Sequence, residues 1–403
     1  MQWYTYIAWV AILIQLLASY HAVLNYQYAR SKYGRKRQPV PEPLVALIIP
    51  CKGLDAHFQT NVTSFLKQDY VNYRLFFVVE EKTDPAYAKI CEVKEALGRE
   101  SKASDIQIFV AGSSASCSQK IHNLLYALDR VPHSTQVLAF ADSDVCVHED
   151  WLSRLVWPLR QPGRGVTTGY RWFVPTRNNL ASLAMSALNA GVAQLLGNSR
   201  LNHAWGGSMA ILAEDFRRLN IEQVWRSTLS DDLSLSHIVR KAGMKVIFVP
   251  GCLVPSFEDT TWSGLYEFAR RQFLITRVYV PGTWWAGFFL SLGSVAGLWG
   301  GLALAGYAAA VHAEHILLYA AVPAIFFAGQ VLRAMLRQLA ALQILSEYGP
   351  QLWRAAAADV LGCWLWSALL FFFILSSAFG QTIRWRGIRY RLAGPTQTDV
   401  LGS

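Results

Sequence analysis

The hydrophobic pattern divides the chain into three kinds of territory. From Trp3 to Val23 runs an uncharged apolar segment, long enough at helical rise to cross a hydrocarbon core of roughly 30 Å. A cleaved signal peptide is the rival reading. However, the basic cluster Arg30, Lys32, Arg35, Lys36 and Arg37 follows the run and no basic residue precedes it, so the pattern predicts a retained anchor with its N-terminus outside. After a Pro-rich link (Pro39, Pro41, Pro43) the pattern changes. Leu44 to Pro50 and Arg74 to Val79 are short apolar runs of the kind buried on both faces of a parallel sheet. Asp55 to Gln68 between them suits a helix, and the three pieces make a βαβ unit. Further strands are predicted at Ile106 to Val110, Gln136 to Ala141, Val166 to Phe173 and Val246 to Val249, so residues 44–255 read as one α/β domain.

Beyond Pro281 the chain turns apolar again. Trp284 to Val311 and Ile316 to Leu332 carry no charge, and Ala355 to Gly380 carries only Asp359. Two to four crossings fit these runs. Three would leave the basic tail with Arg384, Arg386, Arg389 and Arg391 outside, against the positive-inside bias. That conflict points to an interfacial or re-entrant segment, or to a hairpin folded from Trp284 to Val311. The predicted organisation is an anchor (1–25), a basic Pro-rich linker (26–43), the α/β domain (44–255), an interfacial segment (256–282), a C-terminal transmembrane region (283–380) and a basic tail (381–403).

Composition supports an integral membrane protein: 403 residues, 53% apolar, with 15 Trp and 17 Tyr, many beside the long apolar runs where amphipathic rings favour the water–lipid boundary. The formal charge of +10 is placed mostly next to spans, where it marks the cytoplasmic side and anionic headgroups. No nucleic-acid motif accompanies it, so nucleic acid is excluded as a partner. Six cysteines without CxxC spacing indicate neither a zinc ribbon nor a disulfide framework.

Chemistry concentrates at two acidic sites. The apolar run Val137 to Ala141 ends in Asp142-Ser143-Asp144. Alternation along a strand puts both carboxylates on one face at its carboxyl end, where open α/β sheets bind ligands. Two hard oxygen ligands there suit Mg²⁺ or Mn²⁺ held against a diphosphate. A solvated acidic turn is the plain alternative, and the buried strand just before the motif weighs against it. Downstream, Ser230-Asp231-Asp232 precedes a helical segment running to Lys241. It can cap that helix, supply a general base, or do both.

Taken in order, the strand ending at Pro50, the acidic stretch Glu80-Glu81-Lys82-Thr83-Asp84-Pro85, the DSD and the later DD resemble family-2-type inverting glycosyltransferases. The likeness is in particular to the ceramide glucosyltransferase group, family 21. It covers roughly residues 40–280 and the plan of one N-terminal anchor with several C-terminal spans. It implies a GT-A domain, a Rossmann-like α/β nucleotide-diphospho-sugar transferase fold, carried by transmembrane helices. By this resemblance Asp84 or Glu81 lies near the uracil and ribose of UDP. Asp142 and Asp144 serve Mn²⁺ or Mg²⁺ and the donor sugar, and Lys120 in Gln119-Lys120-Ile121-His122-Asn123 approaches the donor. Asp232, with Asp231 beside it, activates the acceptor hydroxyl. Trp205 and Gly206, in the loop His203 to Ser208, lie where donor and acceptor meet. The family's (Q/R)xxRW motif is represented around Arg270-Arg271-Gln272-Phe273 by paired arginines without the tryptophan. Arg271 and Gln272 are its candidate diphosphate contacts; the rival reading is a basic interfacial helix, Tyr266 to Arg277. His122, His148 and His203 read as packed histidines, and Trp151, Trp157 and Trp172 as core or lipid-facing.

The expected activity is transfer of a sugar, glucose first, from a UDP-sugar to the hydroxyl of a membrane lipid such as ceramide. Configuration inverts, and the site faces the cytoplasm at a bacterial inner membrane or its equivalent. Alternatives are a processive polysaccharide synthase, disfavoured by a missing QxxRW and few spans, a polyprenyl-phosphate glycosyltransferase, and a nucleotide-sugar-binding membrane scaffold without catalysis. A transporter is disfavoured because the spans lack paired intramembrane charges.

Overall fold

A computed structural model describes residues 2–34 and 42–402. Arg35, Lys36, Arg37, Pro39 and Pro41 of the predicted linker lie outside the described residues. The chain forms two compact units, one α/β and one helical.

The α/β unit comprises Ala29–Phe173, Asn198–Glu258 and Gln381–Ser403. Its main sheet contains β1 (Val45–Pro50), β2 (Tyr73–Val79), β3 (Asp105–Val110), β4 (Val137–Ala141), β5 (Arg164–Pro175), β6 (Ser208–Leu212) and β7 (Lys245–Glu258), in the order β3-β2-β1-β4-β6-β5-β7. β1 pairs parallel with β2 and β4, and β2 pairs parallel with β3. Both faces are covered, which explains the unbroken apolar runs. Val45, Leu47 and Ile49 pack with Val62, Phe65 and Trp151, while Ala46 and Ile48 pack with Ile121, Leu124 and Trp225. The predicted βαβ start is present, its helix shortened to Phe58–Leu66.

β6 was not predicted, and it matters for the site. It runs antiparallel to β4 with Ala141 opposite Ser208. The loop before β6 therefore arrives beside the residues that follow β4, and Asp142 N–H meets the Gly207 carbonyl at 3.4 Å.

Two further boundaries differ from expectation. Residues 174–197, placed by the sequence inside the α/β domain, belong to the helical unit, where they form the helix Leu180–Ala193. The supposed basic tail is a three-stranded antiparallel sheet of the α/β unit, made of β8 (Thr382–Trp385), β9 (Ile388–Gly394) and β10 (Gln397–Gly402). Its alternation is amphipathic: Ile383, Tyr390 and Leu392 are buried, and arginines occupy the intervening positions.

The helical unit comprises Met1–Tyr28, Val174–Gly197 and Asp259–Gly380. Among the described residues, Tyr4–Tyr33, Pro281–Ala310 and Ile316–Ile344 are long and apolar enough to cross a membrane, and Ser346–Leu361 with Cys363–Ser376 forms an apolar pair bent by 83°. The hairpin considered for Trp284 to Val311 does not form. That stretch is one helical run passing through a π turn at Ala296–Gly300. Paired charge is also present in this unit, contrary to expectation. Both nitrogens of the Arg337 fork engage Asp359, and Gln338 donates to the same carboxylate at 2.7 Å. Asp359 is fully buried, so the pair satisfies a group that would be very costly alone.

Candidate active site

Because β1, β2 and β4 run parallel, the loops after them open at one edge of the sheet. That edge carries Asp55, Glu80 and Asp84, and Asp142 and Asp144. The helix Gln119–Leu128, capped by Ser118, starts nearby and supplies Lys120, whereas the helix Asp231–Lys241, capped by Ser230, supplies the second acidic pair. Lys120 is the hub. Its Nζ lies 2.8 Å from Asp142 Oδ1 and 3.1 Å from Asp231 Oδ2, so one buried cation joins the two acidic motifs. Arg171 of β5 approaches Asp144 at 3.5 Å.

Burial and charge set the protonation pattern. Burial disfavours the charged form of Lys120, but Asp142, Asp231 and Asp232 outweigh it and hold the ammonium protonated. Asp142 is likewise buried, yet Lys120 and Arg171 keep it below the usual carboxylate range. Burial pushes Asp231 up to about 6 despite Lys120. Asp144 is raised by burial and by the charges of Asp142 and Asp55, against Arg171.

The two members of the DD pair differ in kind. Asp232 accepts the Gly206 N–H on Oδ2 at 3.0 Å, and on Oδ1 the Ser230 hydroxyl at 2.5 Å and the Leu233 N–H at 2.7 Å. A carboxylate offers about four lone-pair sites, so the Gly206 bond orients Oδ2 and leaves it one site. Asp231 is buried against Lys120. Gly206 has no room for a side chain, since a Cβ there would lie 2.3 Å from Asp231 Oδ2 and 2.6 Å from Lys120 Nζ.

The other predicted residues fall in several places. Asp84 caps the helix Pro85–Leu97 through the Ala86 N–H at 2.8 Å and also accepts the Gly53 N–H on both oxygens, at 3.0 and 3.1 Å. It thus fixes the loop after β1. Glu81 is exposed, and Glu80 pairs with Lys52 at 2.5 Å. Trp205 is not an open platform: it is buried among core residues, with the Arg171 guanidinium over its ring at 5.0 Å. His203 is held down to about 4 by burial and by Arg240, so at neutral pH it is an uncharged acceptor for that arginine, as a packed histidine should be. Arg271 and Gln272 lie on the helix Trp262–Tyr279 of the helical unit, with Arg271 over the Phe268 ring at 5.5 Å.

Four groups at this edge escaped the sequence reading: Asp55, Arg171, Glu258 and Arg386. Arg386 engages Asp55 through both nitrogens, at 2.7 and 2.9 Å. A signal for it existed. The arginine and tryptophan missing near Arg271 stand at Gln381-Thr382-Ile383-Arg384-Trp385, a literal QxxRW placed after the apolar helices and directly before Arg386. Glu258, at the end of β7, is pushed up to about 7 by burial and by Asp144 and Asp55. Its folded-state value exceeds the ordinary one, so the folded protein binds a proton that the unfolded chain lacks between roughly pH 4.5 and 7. Stability therefore falls as pH rises through that window. In EDTA at pH 8, Glu258→Gln is expected to stabilise the protein by about 2 kcal/mol, allowing for the group's remaining solvent contact, and the gain should vanish near pH 4. Paired thermal melts at the two pH values check this.

The cluster suits a divalent cation. Lys120, Arg171 and Arg386 are outnumbered by the carboxylates of Asp55, Asp142, Asp144, Asp231, Asp232 and Glu258. The buried Asp144 Oδ1 has no hydrogen-bond partner. Among the described residues no group of three or more His, Cys, Asp or Glu is arranged to hold a metal. The fit is to an ion bound by one or two carboxylates and completed by phosphate oxygens, the usual way Mg²⁺ is held.

This carboxylate edge lies within one continuous match: the model of glycosyl transferase family 21 matches residues 5–397. The chain belongs to glycosyl transferase family 21. It is a glycosyltransferase, and its α/β unit carries the acidic motifs of the candidate site. No curated protein matches the chain. Among solved structures it is similar to the mannosyltransferase PcManGT from Pyrobaculum calidifontis in complex with GDP-Man and Mn²⁺, at 15% identity over 92% of this chain and 97% of that one, with a TM-score of 0.46. GalNAc-T7 with UDP, GalNAc and Mn²⁺ follows at 13% identity over 56% of this chain and 48% of that one, TM-score 0.39. A mycobacterial protein matches at 12% identity over 62% of this chain and 76% of that one, TM-score 0.35. At these scores the likenesses are loose.

Proposed function

We propose that this family 21 glycosyltransferase moves a hexose, glucose first, from a UDP-sugar to the hydroxyl of a ceramide-like lipid, with inversion at the anomeric carbon. The observation that carries the reading is the Lys120 bridge, which ties the DxD carboxylate Asp142 to the DD pair. Diphosphate handling and acceptor activation then share one edge of the sheet. Asp232 takes the acceptor proton on Oδ2, which the Gly206 N–H aims. Lys120 and Arg171 offset the charge that builds on the departing diphosphate. Asp142 and Asp144 would hold Mn²⁺ or Mg²⁺, whose chemistry there is to neutralise phosphate oxygens. Because attack and departure occupy opposite faces of the sugar carbon, no nucleophile on the protein is required.

The acceptor reading rests on the membrane. Residues before and after the C-terminal helices share one compact unit, so the chain must return to the side it left. Two spans, Pro281–Ala310 and Ile316–Ile344, do that if the bent pair is re-entrant. With Arg30 and Lys32 ending the first helix, the positive-inside bias puts the α/β unit in the cytoplasm. A C-terminal epitope in intact spheroplasts should be reached by protease only after permeabilisation; cleavage without it would reject this topology. A polymer synthase is less favoured, since the three long apolar helices among the described residues offer little for a polymer channel.

Product analysis tests the chemistry. With UDP-glucose and ceramide the product should be a β-glucoside by NMR, the α-donor having been inverted. An α-glucoside, or glycosylation of a phosphate in preference to a hydroxyl, would reject the mechanism or the acceptor.

A further inference from the structure

The C-terminal sheet is built into the catalytic edge. The Tyr390 hydroxyl accepts the Gln119 N–H at 3.2 Å, next to Lys120 in sequence. The Thr228 hydroxyl donates to the Pro395 carbonyl at 3.2 Å, two residues before the cap that presents Asp231 and Asp232. Just before the first anchor in sequence, Trp385 pairs with Ile388, which leaves Arg386 and Gly387 as a two-residue hairpin loop. Their φ values are 50° and 85°. Positive φ at both positions is the turn geometry that favours Asn-Gly, so an arginine at the first position is held in a conformation it rarely adopts. A strained residue that persists at a charged cleft points to function.

What the loop achieves is placement. The Arg386 guanidinium meets Asp55 edge-on through Nη1 and Nη2, at 2.7 and 2.9 Å. Asp55 is nearly buried, while the arginine keeps 41% of its side-chain exposure. The pair uses two of the five guanidinium donors. Three N–H groups remain in the fixed plane of the fork, on a partly exposed side chain that acts on Asp142, Asp144 and Glu258. A cation next to carboxylates that would hold a divalent ion is placed to meet a nucleotide's phosphates, and a planar fork suits them.

We infer that Arg386, carried in by the C-terminal sheet, binds the diphosphate of the nucleotide donor, with Asp55 as the residue that positions it. This rests on the nucleotide-sugar reading above and extends it to a residue that follows the membrane helices.

The test uses the full-length protein in detergent with Mn²⁺, with UDP and uridine as calorimetric probes. Arg386→Asn places the turn-favoured residue in the loop, and adding Asp55→Asn removes the carboxylate it leaves unpaired, so the melting temperature of the double variant should hold. UDP affinity should fall about 10- to 100-fold while uridine affinity stays within about 2-fold, because only UDP offers the phosphates. Arg386→Lys should recover part of the loss, as a point charge without the fork. The loss should persist in the Asp55→Asn, Arg386→Asn double variant, which removes the unpaired carboxylate. Unchanged UDP affinity, parallel weakening of UDP and uridine, or recovery in the double variant would each overturn the assignment. If the wild-type protein binds no UDP, the donor reading fails instead.

Discussion

Replacing Asp232 by Asn is expected to lower kcat by about a thousandfold while leaving UDP affinity within about threefold, since a positioned general base contributes roughly 10²–10⁴. The amide is nearly isosteric and keeps one oxygen to accept the Ser230 hydroxyl and the Leu233 N–H, so the helix cap survives. What is lost is a proton acceptor beside the Gly206 N–H. Asp231→Asn should behave differently. Asp231 shares Lys120 with Asp142, so its loss disturbs the donor side and should raise the donor KM as well as lower kcat. A variant at 232 that retains more than about a tenth of wild-type turnover would move the base role to Asp231.

Lys120→Met is expected to be the most destabilising single change at this edge. The substitution keeps most of the volume and removes the cation, leaving Asp142 and Asp231 buried without a shared partner. Breaking a buried pair in this way costs about 3–5 kcal/mol. The sign with pH follows from the carboxylates. Asp231 is already raised to about 6 with the lysine present and rises further without it, while Asp142 loses the main charge that holds it low. Protons then bind more readily to the folded chain, so the deficit is full above the folded values and shrinks as pH falls through them. Melts of wild type and variant in EDTA at pH 8 and pH 5 should show a gap that narrows at the lower pH. A pH-independent gap would mean that lost packing, not uncompensated charge, is the cause.

Much of this site was legible in the sequence because its signals are local. An all-apolar strand ending in Asp142-Ser143-Asp144 has few structural readings, and Ser230-Asp231-Asp232 sits at the helix N-terminus as its composition suggests. The elements that differ from the sequence expectation are those fixed by tertiary context. β6 is only five residues and follows a glycine-rich loop, so its pattern was too short to separate from the loop. The helix Leu180–Ala193, at 14 residues, is too short to announce a span, so its place in the helical unit was hidden inside the α/β stretch. In the tail, net charge masks period: the arginines suggest headgroup contacts, but they alternate with Ile383, Tyr390 and Leu392 in a strand pattern around an Arg-Gly turn. The glycines beside Trp205 allow close approach from either side, so the sequence suggests an open platform, whereas the ring packs into the core under Arg171.

The most direct test of the account is UDP release from UDP-glucose by the detergent-purified protein with Mn²⁺, with and without ceramide. Release that requires both the lipid and the divalent ion, and that is lost in EDTA and in Asp142→Asn or Asp144→Asn, is the predicted result. Release unaffected by ceramide, by chelator or by loss of these carboxylates would contradict it.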